Sequence, residues 1–431
     1  MTKNYTFLIV CILGLISQYN FAQNTYDDGV FILNEGMFGT NTASVSFLDD
    51  SNNLSNNVFA NQNTELDLGQ VAQGMGFEGD EAYIVSNGSS EINVVDRVSF
   101  SHITTITSGI DNPRYIAFDN GLAYVTNWGD PTDTTDDYVA VIDLQNYTVI
   151  DNIAVAEGPE EIVKKGNTLF VGHQGGYGYG NSVSVIDLTD YSVSEITLAD
   201  IPNSLEVDDD YLYVLCGGMP AWTGTETQAK LFRIDLTDNT AIEEFDFATG
   251  EHPDFLEVEN GIAYYVLNNN IFEFDFIDTS LSTTPFIDTT TESLQISYGL
   301  SLIDDTFYLA DALDYVTDGI IHTYDVTGNF LNSYTVGLIP NGIYKYEAED
   351  LSVEQTQEEL QLAIYPNPTV DKLFLTTQQA AEVSIYNLNA KLVKKATYTN
   401  NGISVNTLST GVYLVRVQQE NTQQTLKLII K

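Results

Sequence analysis

The sequence predicts an all-β chain: a seven-bladed β-propeller closed by its N- and C-terminal strands, followed by a small immunoglobulin-like β-sandwich. Three observations predict it. A four-strand unit recurs along most of the chain, the two ends of the repeat region complement each other, and both charge and strand pattern change after residue 350.

The repeat is clearest at 158–200, where a proline-led segment, a turn, a strand, a loop, the strand "VSVIDL", a turn and a fourth strand follow in order. The same order runs through 112–156, from 201, and from 252 with "HPDFLEVENGIAYYVLNNNIFEFDF". An earlier copy lies at 74–97 and a later one at 298–336. Six four-strand units at a period of about 40–50 residues match propeller blades. "LIPNGIYKY" at 338–346 is a lone first strand, and "GVFILNEG", "ASVSFLDD" and "LSNNVFA" are three strands with no first strand before them. Joined, they complete a seventh blade and remove the sheet edges that an open stack would leave. Strands such as Val183–Val185–Ile186 read as half-buried, from their near-alternation.

Composition bounds the function. The chain has 15 Lys and Arg against 61 Asp and Glu, a field that repels nucleic acid and anionic lipid. With 43% hydrophobic and 11% aromatic residues it is a packed fold rather than an acidic tail. Residues 24–350 carry 7 basic and 55 acidic side chains, whereas residues 360–431 carry 7 and 3. The sign flips at a polar linker, which gives four parts: 1–22, 24–348, 349–361 and 362–431. The first reads as a secretory signal, with Lys3, an apolar run at 7–16 and cleavage after Ala22. Cys11 lies within that run, so lipid attachment is not expected. Cys216 is then alone in the mature chain, an apolar filler with no disulfide partner. The apolar run is too short to span a bilayer, and no longer one follows.

The candidate site follows from blade geometry. The entry into each inner strand and the loop between strands two and three lie on one face. The entries "DNPRY", "GPEE", "IPNS", "HPDF" and "IPNG" bring Arg114, Glu160, Asn203, Asp254 and Asn341 to the channel mouth. The loops between strands two and three are the long ones, and they bring Phe38, Trp128, His173, Tyr177, Tyr179, Met219 and Trp222 to the same face. The glycine-rich "GHQGGYGYGNS" is one of them. Aromatic side chains with polar tips around a concave surface suit a ligand site; packed on one another, they would only stiffen the loops. Phosphate loop, nucleophile elbow, Cys/His metal spacing and EF-hand loop are all missing from the sequence. The oxygens of Glu160, Asn203, Asp254 and Asn341 are of the type that holds calcium.

Resemblance adds expectations. "YPNP" at 365–368, "SIYNLNAKLV", "LSTGVYLVRV" and "KLIIK" resemble the C-terminal sorting domain of type IX secretion cargo in Bacteroidetes-type bacteria. That resemblance implies export across the outer membrane by the secretion machinery, removal of the tail, and release or surface attachment. The repeat "P-x-x-I…LYV-x-N…VSVIDL-x-T" is similar to YncE-like, quinoprotein-type propellers. "FILNEGMFGTNTASVSFLD", "NPRYIAFDNGLAYVTNWG" and "GPEEIVKKGNTLFVGHQGG" are closer to a surface subset that includes BtuG-type cobalamin-binding proteins. The subset implies a non-catalytic protein that captures a small molecule, a corrinoid among the candidates, or a partner, for a TonB-dependent transporter. The oxygen-bearing mouth resembles calcium-dependent lactonase propellers, usually six-bladed, so a metal-dependent hydrolase stays open beside a structural or adhesive surface protein.

Overall fold

The computed structural model describes residues 25–130, 132–176, 178–237, 242–346, 363–377, 381–387, 391–399, 401–419 and 422–431. The expected signal at 1–22 and linker at 349–361 lie outside the described residues. The chain divides into two compact units, one on each side of residues 347 and 348.

The first unit is a series of antiparallel sheets arranged like propeller blades, seven among the described residues. Six have four strands. The inner strand of each is Ala72–Glu78, Pro113–Asp119, Pro159–Lys165, Pro202–Asp208, Asp254–Glu259, Ser297–Ile303 or Pro340–Tyr344. Each inner strand contacts the inner strand of the next sheet, and Pro340–Tyr344 contacts Ala72–Glu78. Pro340–Tyr344 also pairs with Gly29–Asn34, so one sheet is built from both ends of the unit.

Apolar clusters separate neighbouring sheets. In Leu122–Asn127, Ala123 and Val125 face one neighbour while Tyr124 faces the other. Val183 and Ile186 divide in the same way, so "VSVIDL" is buried on both faces rather than half-buried. Sheets stacked on both sides explain this. A middle strand has no solvent face, and its polar Ser184 is fully enclosed.

Two other expectations need correction. The unit from 252 has three strands, Asp254–Glu259, Ile262–Leu267 and Asn270–Asp275. After Asp275 the chain turns outward through exposed Ile277 and returns only as a bridge between Ile271 and Ile287. Buried Ile287 covers that edge in place of a fourth strand. "LSNNVFA" gives a two-residue strand, Leu54–Ser55, and then one helical turn, Val58–Gln62. Val58 and Phe59 plug an apolar core from that turn, which an extended strand would not let both do.

The second unit has two sheets among the described residues. One holds Ile364–Tyr365, Lys372–Leu375 and Ile403–Ser404; the other orders Leu392–Tyr398, Ala381–Asn387, Gly411–Gln419 and Thr422–Ile430. The "YPNP" turn is tied to the last strand. The Asn367 amide donates to Lys427 O at 2.7 Å, and its Oδ1 accepts from Ile429 N at 2.9 Å. Thr369 extends the contact, donating to Ile429 O and accepting from Lys431 N.

Candidate functional site

All seven inner strands change register near their start, five of them in a proline-led segment. Such bulges re-aim side chains, so that consecutive residues share one face. Glu160 with Glu161, Asn203 with Ser204, Asp254 with Phe255 and Ser297 with Tyr298 thereby line one cavity of about 710 Å³. The residue before the inner strand has positive φ at Val71, Asn112, Gly158, Ile201 and Ile339. That conformation is strained for β-branched residues, and it turns the chain inward. At Gly158 a Cβ would lie 1.9 Å from Gly176 N, so the glycine-rich loop is glycine-rich partly because two backbones touch.

Most of the expected channel-mouth residues join one sheet to the next. Arg114 grips Glu160 with bonds of 2.6–3.1 Å, both side chains nearly buried. Glu161 accepts from Leu205 N at 2.7 Å, and Asn203 donates to Pro253 O at 3.0 Å and to Asp254. Ser301 bonds Glu257 and reaches Ile343 O at 3.2 Å. Asn341 donates to Ala72 O at 2.9 Å, and Gln73 donates to the Tyr115 hydroxyl at 3.2 Å. Every junction between neighbouring inner strands thus carries a polar link.

The expected loop residues separate. Trp128 packs inward: the Arg114 guanidinium lies 4.0 Å over its ring, and its indole N–H donates to Pro159 O at 3.1 Å. Phe38 and Trp222 are more than 80% exposed, and Tyr179 is exposed as well. Met219 is half-buried and pairs with Thr227 across the base of its loop. His173 corrects its expected place in the loop crown. It ends the strand Thr168–His173, is 1% exposed, and bonds Ser184 at 2.7 Å. Burial pushes its imidazole down to about 4, so it is neutral and faces the sheet interior. Tyr177 lies outside the described residues.

Sequence reasoning missed the deeper wall. Glu161, Glu206, Glu257, Tyr115, Tyr298, Tyr315, Tyr344 and Phe255 all line the cavity. A signal existed in "NSLEVD" and "DFLEVE", which place Glu206 and Glu257 at the same position of successive repeats. Burial pushes Glu161 up to about 8, against the Leu205 N–H that favours its charged form. Burial and mutual repulsion raise the Glu206–Glu257 pair well above the usual carboxylate range. Burial also raises Asp254, against the bond from Asn203, and Glu35, against the Tyr298 hydroxyl and Arg114. Asp254 touches solvent within the cavity while protein surrounds it, which is why desolvation dominates there. Among the described residues no three His, Cys, Asp or Glu side chains converge to hold a metal ion.

The fold and this polar, aromatic-walled cavity define an all-β protein with propeller-like blades. Residues 363–431 match the family of secretion system C-terminal sorting domains. The protein is accordingly exported to the outer surface or the medium, and its tail engages the secretion machinery. Among the described residues no helix is long and apolar enough to cross a membrane. No curated protein sequence matches the chain. In structure it is similar to a quinonprotein alcohol dehydrogenase-like protein of Bacteroides thetaiotaomicron, at 15% identity and TM-score 0.55 over 74% of this chain and 78% of that one. BamB of Moraxella catarrhalis follows at 12% identity and 0.45, over 72% and 83%. Virginiamycin B lyase of Staphylococcus aureus stands at 12% and 0.45, over 61% and 83%. The first likeness concerns the fold alone, and the other two are too distant to add to it.

Proposed function

We propose that the exported protein is a non-catalytic binding protein whose first unit is a closed seven-bladed ring and whose channel captures a small molecule. The cavity of about 710 Å³, walled by tyrosines and carboxyl groups, carries this reading. It is in the size range of small-molecule sites. Ring closure is supported by the strand pairing between the two ends of the unit and by the clusters packed between every two sheets. The two-sheet tail is read as immunoglobulin-like, its Tyr413 hydroxyl bonding back to Ser409 O. The YncE-like, BtuG-type resemblance adds delivery to an outer-membrane transporter.

The channel is preferred to the loop crown, because Trp128 is engaged with Arg114 and His173 is buried. Equilibrium dialysis of the mature protein against corrinoids, saccharides and amines, with bound molecules identified by mass spectrometry, tests the reading. Tyr315→Ala should weaken retention at least tenfold and Trp222→Ala should not. The reverse pattern would move the site to the crown, and no retention by the parent would refute capture.

A further inference from the structure

We infer that the channel takes an organic cation, an amine or polyamine, held between its carboxyl groups and its tyrosine rings. The inference rests on the capture reading above and names the ligand class for that site. Five carboxyl groups line the cavity, those of Glu160, Glu161, Glu206, Asp254 and Glu257, and no basic side chain does. Among the described residues Glu160 is the one of the five in a salt bridge with a Lys or Arg, Arg114, and His252 lies near Asp254.

The cavity has two kinds of wall. Tyr298 and Tyr315 meet edge to face at 5.5 Å, with Tyr315 41% exposed, so ring surface is free near the opening. Aromatic faces attract cations and gain more as water is excluded. Glu206 and Glu257 lie on successive inner strands and repel each other when charged. A cation between them would relieve that repulsion.

A metal ion fits poorly, since no three ligating side chains converge among the described residues. A larger cation, with charge spread along a chain, suits carboxyls that are dispersed over such a volume. Anionic and nucleotide ligands are disfavoured by the same charge.

Uptake should exchange protons for the ligand. Glu206 is faced by Glu257, Asp208 and the Val207 N–H; Glu257 is faced by Glu206, Glu161, the Ser301 hydroxyl and the Leu302 N–H. Glu161 is faced by Glu160, Glu206, Glu257, Tyr115, Tyr344 and the Leu205 N–H. All three acids are raised, so at neutral pH the empty channel holds protons that a cation displaces.

The test is calorimetric titration of the mature protein with spermidine in 150 mM salt, in buffers of different ionisation heat, from pH 6 to pH 9. We expect one saturable site per chain, proton release at pH 7, and affinity that rises at least tenfold across that range. Glu206→Gln with Glu257→Gln should lower affinity at least tenfold while thermal melting shows the ring intact. Weak, non-saturable uptake unchanged in that double variant would place spermidine on the acidic surface and overturn the inference. Cyanocobalamin and a neutral disaccharide serve as parallel probes. If either binds with sensitivity to Tyr315→Ala while spermidine does not bind, the cation class fails and capture stands. If none of the three binds, the cation inference fails, and the wider dialysis decides capture. Should the double variant unfold, Tyr315→Ala provides the second readout, because it removes the exposed ring from the opening and should weaken spermidine binding at least tenfold. An unchanged or tighter affinity there would count against the inference.

Discussion

Arg114 holds in place two other residues that sequence reasoning assigned to a ligand. It neutralises Glu160, and its guanidinium lies over Trp128, which in turn donates to Pro159 O. Removing one partner of a buried pair leaves an uncompensated charge, so Arg114→Ala should cost about 3–5 kcal/mol in urea unfolding. Arg114→Met with Glu160→Gln should recover most of that loss. Trp128→Ala should lose about 1–3 kcal/mol through ring packing and one hydrogen bond. Trp222→Ala, whose ring is 81% exposed, should change stability by under about 0.5 kcal/mol. Equal effects of the two tryptophan substitutions would contradict this division. The aromatic loops were legible in the sequence as loops. Which of their rings turn inward was not, because the Glu160 carboxylate that holds Arg114 and the Pro159 carbonyl that holds Trp128 come from the next sheet, whose approach only stacking sets.

At the scale of elements, the bulge at each inner strand does most to build the site. A strict two-residue alternation would point Glu160 and Glu161 in opposite directions. With the bulge, both line the cavity. The left-handed turn before the bulge is the sensitive point. Gly158→Ala should lower the melting temperature by several degrees, since its Cβ would meet the Gly175–Gly176 backbone and its φ of 64° disfavours a side chain. Loss of ligand binding without loss of stability would argue instead for a direct role of that loop. In the tail, Asn367→Ala removes two bonds that hold the last strand. Amide exchange at Ile429 should then speed up, and less protein should reach the medium. Wild-type export with faster exchange would show that the machinery reads "KLIIK" without the latch. The four-strand repeat was visible in the spacing of prolines and turns. The missing strand after Asp275 was hidden because "PFI" is as apolar as the strand that it replaces.

For the whole molecule, two groups of carboxyls pull stability in opposite directions. Glu161 is raised in the fold from its ordinary value near 4.5 to about 8, so the native state binds more protons than the unfolded one across that interval. Stability should therefore fall as pH rises through it. Glu206, Glu257 and Asp254 act in the same sense. Asp49, Asp130, Asp187 and Asp325 are lowered by hydroxyl, amide and backbone donors in tight turns, and those bonds are lost as pH falls below the usual carboxylate range. Thermal melting against pH should thus peak on the mildly acidic side. Glu161→Gln should flatten the alkaline limb, and an unchanged limb would assign it to general repulsion in a chain of net charge −46. Raising salt separates the two, since screening weakens surface repulsion more than buried repulsion.

The sequence by itself determined the all-β class, the repeating unit, the place where the acidic region gives way to the basic tail, and the export address. Each of these is written in local order: a proline, a turn, an alternating run, a terminal "KLIIK". Tertiary structure alone decided what the polar residues of the channel do. Arg114 meets Glu160 across 46 residues, Asn203 meets Asp254 across 51, and Asn341 meets Ala72 across 269. A side chain's partner at such distances is fixed by how sheets stack, and so is its burial. Burial and repulsion are what raise Glu161, Glu206 and Glu257, which turns unremarkable strand residues into the acidic wall of a cavity.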